Sequence, residues 1–309
     1  MRQRFATVCF VAATILLGAS VAGAFWQSRL QVAVSGGGGA GCSQATTFIA
    51  RTSGLSGGTT TNLTTLICDW VTNGTITGDL TSGGTACGAY FSGAWLMGLT
   101  NATNSGLNLC GNTFTLSPQN SPTYANYGSG AGGYTGNSSN MYINTTLTPS
   151  TAGPSATCFH ASVWNNTNTA DLYTTALGTL DGGGGNTQIY PKNQFDNKMS
   201  GRVQTSTLIN STSTISDPRG LLSINRTGLT TEQLWQNATQ IGSDTNTAQP
   251  RSTLPVFILA TNNAGTANEY TSREKMFASY GNCFPGTTEF GNFYNPLHTF
   301  LTNEAGISY

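Results

Sequence analysis

Two neighbouring runs, 233–242 and 255–260, restrict this chain more than any other feature. In the first, Leu234 and Gln236 alternate with Trp235, Asn237-Ala238 can close a tight turn, and Gln240 and Ile241 begin a return, so the run predicts a β-hairpin. The second, Pro255-Val-Phe-Ile-Leu-Ala260, is nearly all apolar and rich in strand formers, the pattern of a strand covered on both faces. A two-stranded arm with a polar tip beside a buried strand is the local signature of two sheets packed face to face.

Helix is the competing outcome, and composition disfavours it over most of the length. Only 8% of the residues are charged, 39 are glycine, and tracts of Thr, Ser and Asn recur. These residue types have poor helix propensity because their side chains or their freedom compete with the helical backbone, whereas they suit strands joined by many turns. Disorder is countered by 14 Phe, 11 Tyr and 5 Trp, which supply core material. Twelve basic residues balance twelve acidic ones with no basic run beyond the N-terminus, so the clustered positive surface that grips nucleic acid is not expected. An uncharged surface of hydroxyls and amides suits neutral ligands such as sugars.

The N-terminus reads as an address. Arg2 and Arg4 precede an apolar stretch from Phe5 to Val21, and Ala22-Gly23-Ala24 forms a small-residue cleavage site before Phe25, so residues 1–24 are expected to be a secretory signal peptide. An uncleaved signal-anchor is the alternative. No later segment is long and apolar enough to cross a bilayer, so no membrane span is expected in the mature chain. Beyond Cys9 lie Cys42, Cys68, Cys87, Cys110, Cys158 and Cys283, an even set that in an exported chain predicts disulfides. Their spacing does not choose the pairing, though the clustering of Cys68, Cys87 and Cys110 predicts at least one bond among them. With no Cys-x-x-Cys and only His160 and His298, zinc is not indicated. Residues 25–45 contain Ser35-Gly-Gly-Gly-Gly-Ala-Gly41 and read as a flexible linker; no Gly-Lys-Ser/Thr follows to make a phosphate loop. The folded domain is therefore expected over 46–309.

Along that domain, Leu63, Leu66, Ile67, Trp70 and Val71 recur at helical spacing before Gly74. Trp95–Leu99 reads as a first strand, 107–116 and 140–147 as further strands, and Tyr124–Gly136 between them as a Gly-rich surface loop. In 156–164, Phe159, Ala161 and Val163 alternate with Cys158, His160, Ser162 and Trp164. Asp181–Asn186 encloses four glycines and reads as a turn; 201–208, 221–226 and 273–280 read as strands. A C-terminal helix carries Phe290, Phe293, Tyr294, Leu297, Phe300 and Leu301 on one face, with Thr287 or Thr288 as cap, Gly306 beyond its end, and Pro296 predicting a kink or break near Asn295. The expected core includes Ile67, Trp70, Phe159, Val163, Phe257, Leu259, Phe293 and Leu297.

Taken together, Phe48–Leu55, Thr65–Val71, Gly133–Gly136, Tyr142–Pro149, Ala161–Trp164, Leu234–Asn237, Ile258–Asn263 and Phe293–Asn295 resemble bacterial and prophage-encoded proteins with a concanavalin A-like, LamG-like jelly-roll domain. The resemblance spans about residues 46 to 306. It implies an all-β jelly-roll β-sandwich with a short N-terminal helix and a C-terminal helix, found on extracellular, surface or phage tail-associated proteins, and a role in glycan binding or adhesion. The cysteines and the signal peptide depart from the pattern and favour an exported bacterial protein.

Catalysis lacks its residues. Jelly-roll hydrolases of the laminarinase type carry Glu-x-Asp-x-x-Glu, which sets carboxylates on one strand face. Here Glu232, Glu269, Glu274, Glu289 and Glu304 are scattered, and His160 has no nucleophile motif beside it. Asp181 and Asp217 are weak calcium candidates and read better as turn residues, so no cofactor is expected. Aromatic faces remain: Tyr124, Tyr127 and Tyr134 in the Gly-rich loop and Trp235 in the hairpin are the candidates for stacking on a sugar, with Trp235 also suited to packing inside the sandwich. The expectation is a secreted or surface-associated, non-catalytic module binding glycans or cell-surface polysaccharide. A structural surface or phage tail-type component is the alternative. A divergent glycoside hydrolase would need a carboxyl pair about 5–10 Å apart.

Overall fold

In the computed structural model, which describes residues 41–309 apart from 79, 81–86, 88–89, 129, 153–156 and 171–173, the chain opens with helices α1 (Ser43–Ile49) and α2 (Gly57–Thr72). The expected signal peptide and Cys9 lie outside the described residues. Helix α1 begins inside the stretch expected to be linker. Ser56 caps α2 by accepting from the Thr59 amide at 3.0 Å, and the spacing of Leu63, Leu66, Ile67 and Trp70 gives the helix one buried face. Strand β1 (Phe91–Leu96) and the short α3 (Ala102–Gly106) lead to β2 (Ser117–Gln119), β3 (Thr123–Gly128), β4 (Ala131–Thr135) and β5 (Tyr142–Asn144). One helical turn, α4 (Pro149–Ala152), precedes β6 (Phe159–Asn165), β7 (Leu177–Leu180), β8 (Thr187–Tyr190), β9 (Ser200–Val203) and β10 (Ile209–Asn210). Then come β11 (Gly220–Arg226), the hairpin β12 (Glu232–Gln236) and β13 (Thr239–Asp244), β14 (Phe257–Ile258), β15 (Thr261–Asn263), β16 (Thr266–Asn268), β17 (Glu274–Gly281) and the terminal helix α5 (Thr287–Ala305).

These strands make a jelly-roll sandwich of two sheets. The first runs β13-β12-β11-β6-β17-β4-β3, with β1 also on β17; the second runs β10-β9-β8-β7-β14-β5-β2, with β15 and β16 attached. All pairings are antiparallel except β15 with β7. The chain wraps from one sheet to the other through β4, β5, β6 and β7, so β6 meets β11 and β17 rather than its neighbours in sequence.

The architecture has a third layer. Alternation along β6 sends Phe159, Ala161 and Val163 into the core between the sheets, as expected, and Trp164 to the opposite face. There Trp164, Leu221, Trp235 and Phe277 form a second core with Trp70, Phe290, Phe293 and Leu297 of the helices. The central strands of the first sheet, β6, β11 and β17, are therefore buried on both faces, and the helices are part of the core rather than props. Every residue of the expected core is buried.

Helix α5 corrects an expectation. It runs unbroken through Pro296 and is preceded by Gly286, without a threonine cap. Proline cannot donate to the carbonyl four residues back. That carbonyl, of Asn292, accepts instead from Asn73 Nδ2 at 2.8 Å, and the next one, of Phe293, accepts from Trp70 Nε1 at 2.9 Å. Asn73, at the end of α2, thus supplies the donor that proline withholds, and Trp70 adds a second tie to the same turn.

Three further expectations give way. Residues 107–116 are loop and turn, not strand. Tyr124–Gly136 is not a surface loop: β3 and β4 pair across it, Tyr124 opposite Tyr134, because glycines 132 and 133 take left-handed φ and let the backbone pass close to Tyr127 and Lys275. The run 255–260 is buried as predicted, yet only Phe257 and Ile258 pair as strand, since Leu259 turns the chain at φ 68°.

Disulfides Cys42–Cys68, Cys87–Cys110 and Cys158–Cys283 use all six cysteines of the described residues, and the second lies within the expected cluster. Cys158–Cys283 clasps the entrance of β6 to the exit of β17, closing a separation of 125 residues. Among the described residues no helix is long and apolar enough to cross a membrane.

Candidate functional site

The helices cover the first sheet, so the outer face of the second is where a ligand could meet the sandwich. Strand β8 decides what that face carries. Ile189 points into the core between the sheets, and its neighbours Gln188 and Tyr190 project the other way. Tyr190, Ser200 at the start of β9, Lys192, Leu208, Thr174 and Glu269 line a pocket of about 240 Å³ there. That lies below the roughly 300–1,000 Å³ of drug-sized sites, and suits one small ring at a time.

Glu269 is the pocket's fixed point. It follows β16 in a left-handed conformation at φ 53°, uncommon for a residue with a Cβ. Its Oε2 accepts from Thr175 Oγ1 at 2.7 Å, Gln188 Nε2 at 2.8 Å, Thr261 Oγ1 at 2.9 Å and the Tyr190 hydroxyl at 3.0 Å. Its main-chain carbonyl takes the Thr175 amide at 3.0 Å. The four side-chain donors all reach Oε2, which among the described residues leaves Oε1 outside the network. Burial, reinforced by the Glu269 carboxylate, pushes the Tyr190 phenol far above its ordinary range, so it stays a proton donor. Among the described lining residues Glu269 is the one carboxylate, and no group of three His, Cys, Asp or Glu there could hold a metal.

Sequence reasoning missed this site. Thr175, Gln188, Tyr190, Thr261 and Glu269 come from separate parts of the chain, and only the sheet brings them together. Glu269 carries no local signature beyond following the β15–β16 hairpin.

The aromatic candidates are engaged elsewhere. Trp235 is 2% exposed and stacks on Phe290 with centroids 4.6 Å apart, so it serves the helix-side core. Tyr134 is also 2% exposed and packs on Tyr124 at 5.2 Å; burial pushes its phenol up to about 12. Tyr124 is half-buried with its hydroxyl bonded to the Leu99 carbonyl and to Ser105. Tyr127 donates to the Met276 carbonyl at 2.6 Å and meets Phe300 edge-on. The pairing of β3 with β4 turns these tyrosines against the protein, so they present no open platform.

The calcium candidates spend their oxygens locally. Asp217 is bound by Arg219, at 2.6 Å between Oδ2 and Nη2, and Asp181 accepts from the amides of Gly183 and Thr253. His160 is fully buried, its Nδ1 at 2.5 Å from the Asn282 carbonyl and its Nε2 at 3.0 Å from Ser279 Oγ; burial holds its pKa down to about 4. It is a structural histidine. Glu232, one of the scattered glutamates, is fully buried beside Arg226 at 3.4 Å and accepts from the Val203 amide at 2.5 Å, tying β12 to β9. Burial outweighs these partners and pushes its carboxyl up to about 7.

No family model and no curated protein sequence matches the chain. Among solved structures it is similar to domain 4 of AbnA, a GH43 extracellular arabinanase from Geobacillus stearothermophilus, in complex with arabinotriose, at 13% identity over 66% of this chain and 100% of that one, TM-score 0.44. It is also similar to the Ruminococcus gnavus IT-sialidase CBM40 bound to α2,3 sialyllactose, at 9% identity over 43% and 78% of the two chains, TM-score 0.32. A third is the NanB sialidase from Streptococcus pneumoniae, at 12% identity over 47% of this chain and only 25% of that one, TM-score 0.35. At these identities and TM-scores no ligand or activity carries over to this chain.

Proposed function

We propose that this protein is a secreted, non-catalytic binding module that takes a carbohydrate in the pocket on the outer face of the second sheet. The observation that carries the reading is Glu269, whose carboxylate is held by several protein donors at Oε2 while the residue itself lines the pocket. A fixed carboxylate acceptor beside a hydroxyl, an ammonium and the apolar Leu208 matches a sugar, which offers both hydroxyls and C–H faces. Hydrolysis of a glycosidic bond uses two carboxyls, and Glu269 has no carboxylate partner among the described lining residues. Three disulfides support an oxidising destination outside the cytosol.

A glycan array followed by calorimetric titration tests this. The parent should bind a neutral glycan, Glu269→Ala should lose at least tenfold in affinity, and Ser200→Ala, a milder change, should lose a few-fold. Prolonged incubation should leave the glycan uncleaved. Binding unaffected by both substitutions, or release of shorter sugars, would sink the proposal.

A further inference from the structure

Arg202, on β9, does not line the pocket, yet it faces the residue that orients the pocket's acceptor. Its Nε donates to Gln188 Oε1 at 2.8 Å, its Nη2 donates to the same oxygen, and its Nη1 donates to the Ser206 carbonyl. Gln188 in turn is fully buried, and its Nε2 donates to Glu269 Oε2 at 2.8 Å and to Thr261 Oγ1 at 3.0 Å. An amide can sit either way round, but here chemistry leaves one choice. A guanidinium has only donors and a carboxylate only acceptors, so Oε1 must face Arg202 and Nε2 must face Glu269.

We infer that Arg202 is a positioning residue for carbohydrate binding: through Gln188 it locks the Glu269 carboxylate with Oε2 turned into the sheet and Oε1 left for a ligand hydroxyl. The inference rests on the proposed function of the pocket. It also defines the ligand's side of the contact. The site asks for a group that donates a proton, such as a sugar hydroxyl or an amino-sugar ammonium, because a carboxylate oxygen can only accept. Without Arg202 the buried Gln188 Oε1 loses its donors, and the amide is held on Glu269 from one side only, so the carboxylate's partner is no longer fixed in place.

The test compares Arg202→Met, Arg202→Lys, Gln188→Met and the double variant Arg202→Met/Gln188→Met, using the best neutral oligosaccharide from the array as probe. Arg202→Met should weaken binding about tenfold, Gln188→Met by a similar factor, and the double variant no further, since both break one relay. Arg202→Lys should recover part of the loss, as a lysine can still hold Oε1. Nitrogen-resolved NMR adds a readout that needs no ligand: the Gln188 side-chain amide should exchange slowly with solvent in the parent and rapidly in Arg202→Met. Additive losses, or losses that track the melting temperature with no recovery by lysine, would show a structural role only and overturn the inference. A parent that binds oligosaccharide while Arg202→Met binds equally well would overturn it alone. A parent that binds none would remove the proposed function with it.

Discussion

The stability of this protein should hardly change with pH in the mildly acidic range, because two buried groups pull in opposite directions. Glu232 has its carboxyl raised from 4.5 to about 7, and burial is the main cause. The fold therefore prefers it protonated, and that stabilisation is fully present below pH 4.5 and lost as pH rises through about 7. His160 has its pKa lowered from 6.5 to about 4 by burial, so its contribution is present above pH 6.5 and lost as pH falls through about 4. Each shift is worth on the order of 3 kcal/mol at its extreme. Where the windows overlap, what acidification adds at Glu232 it removes at His160, so the parent curve should be flat to within about 1 kcal/mol. Single substitutions should expose the slopes. Glu232→Gln keeps an acceptor for the Val203 amide and stands in for the protonated carboxyl that the fold prefers, so its stability should lie close to the parent's near pH 4. From pH 7 down to pH 4 the variant should lose on the order of 3 kcal/mol, as His160 alone remains. His160→Asn, whose amide nitrogen can replace the imidazole donor to Asn282, should instead gain stability as pH falls from 8 to 5. Urea unfolding followed by tryptophan fluorescence across this range measures both. If the Glu232→Gln curve runs parallel to the parent's at a constant offset, Glu232 does not titrate there and the reasoning fails.

The other expectations concern folding and packing. Asn73→Ala should cost about 1–2 kcal/mol in the parent, by leaving the Asn292 carbonyl without its donor, and much less when Pro296→Ala restores a helical amide; thermal melts of the double-mutant cycle check it. Replacing Cys158 and Cys283 together by alanine should cost about 2–5 kcal/mol, read from denaturant midpoints under non-reducing conditions. Trp235→Ala should lose about 3–5 kcal/mol of stability by emptying its place against Phe290 while leaving glycan affinity within a few-fold of the parent, which calorimetry at low temperature can resolve.

Local chemistry was enough to read much of this molecule. Period-two alternation over 156–164, the turn at Asn237, the apolar spacing of Leu63, Leu66, Ile67 and Trp70, and the stripe from Phe290 to Leu301 each depend on residues close in sequence, and each appears in the fold. Cysteine number likewise announced the disulfides. What sequence could not settle depends on partners far along the chain. Pro296 breaks an isolated helix, but not one whose freed Asn292 carbonyl meets Asn73, with Trp70 bound one residue on, both from more than two hundred residues earlier. Tyr124 and Tyr134 look like loop aromatics until β4 and β17 pair and draw them inward. Glu269 looks like any scattered acid until strands separated by up to 94 residues converge their donors on one of its oxygens. Sequence alone determined the strand and helix material and the cysteines available for disulfides. Only tertiary structure decided which polar groups would meet, because a hydrogen bond acts over about 3 Å of space, whatever the distance along the chain.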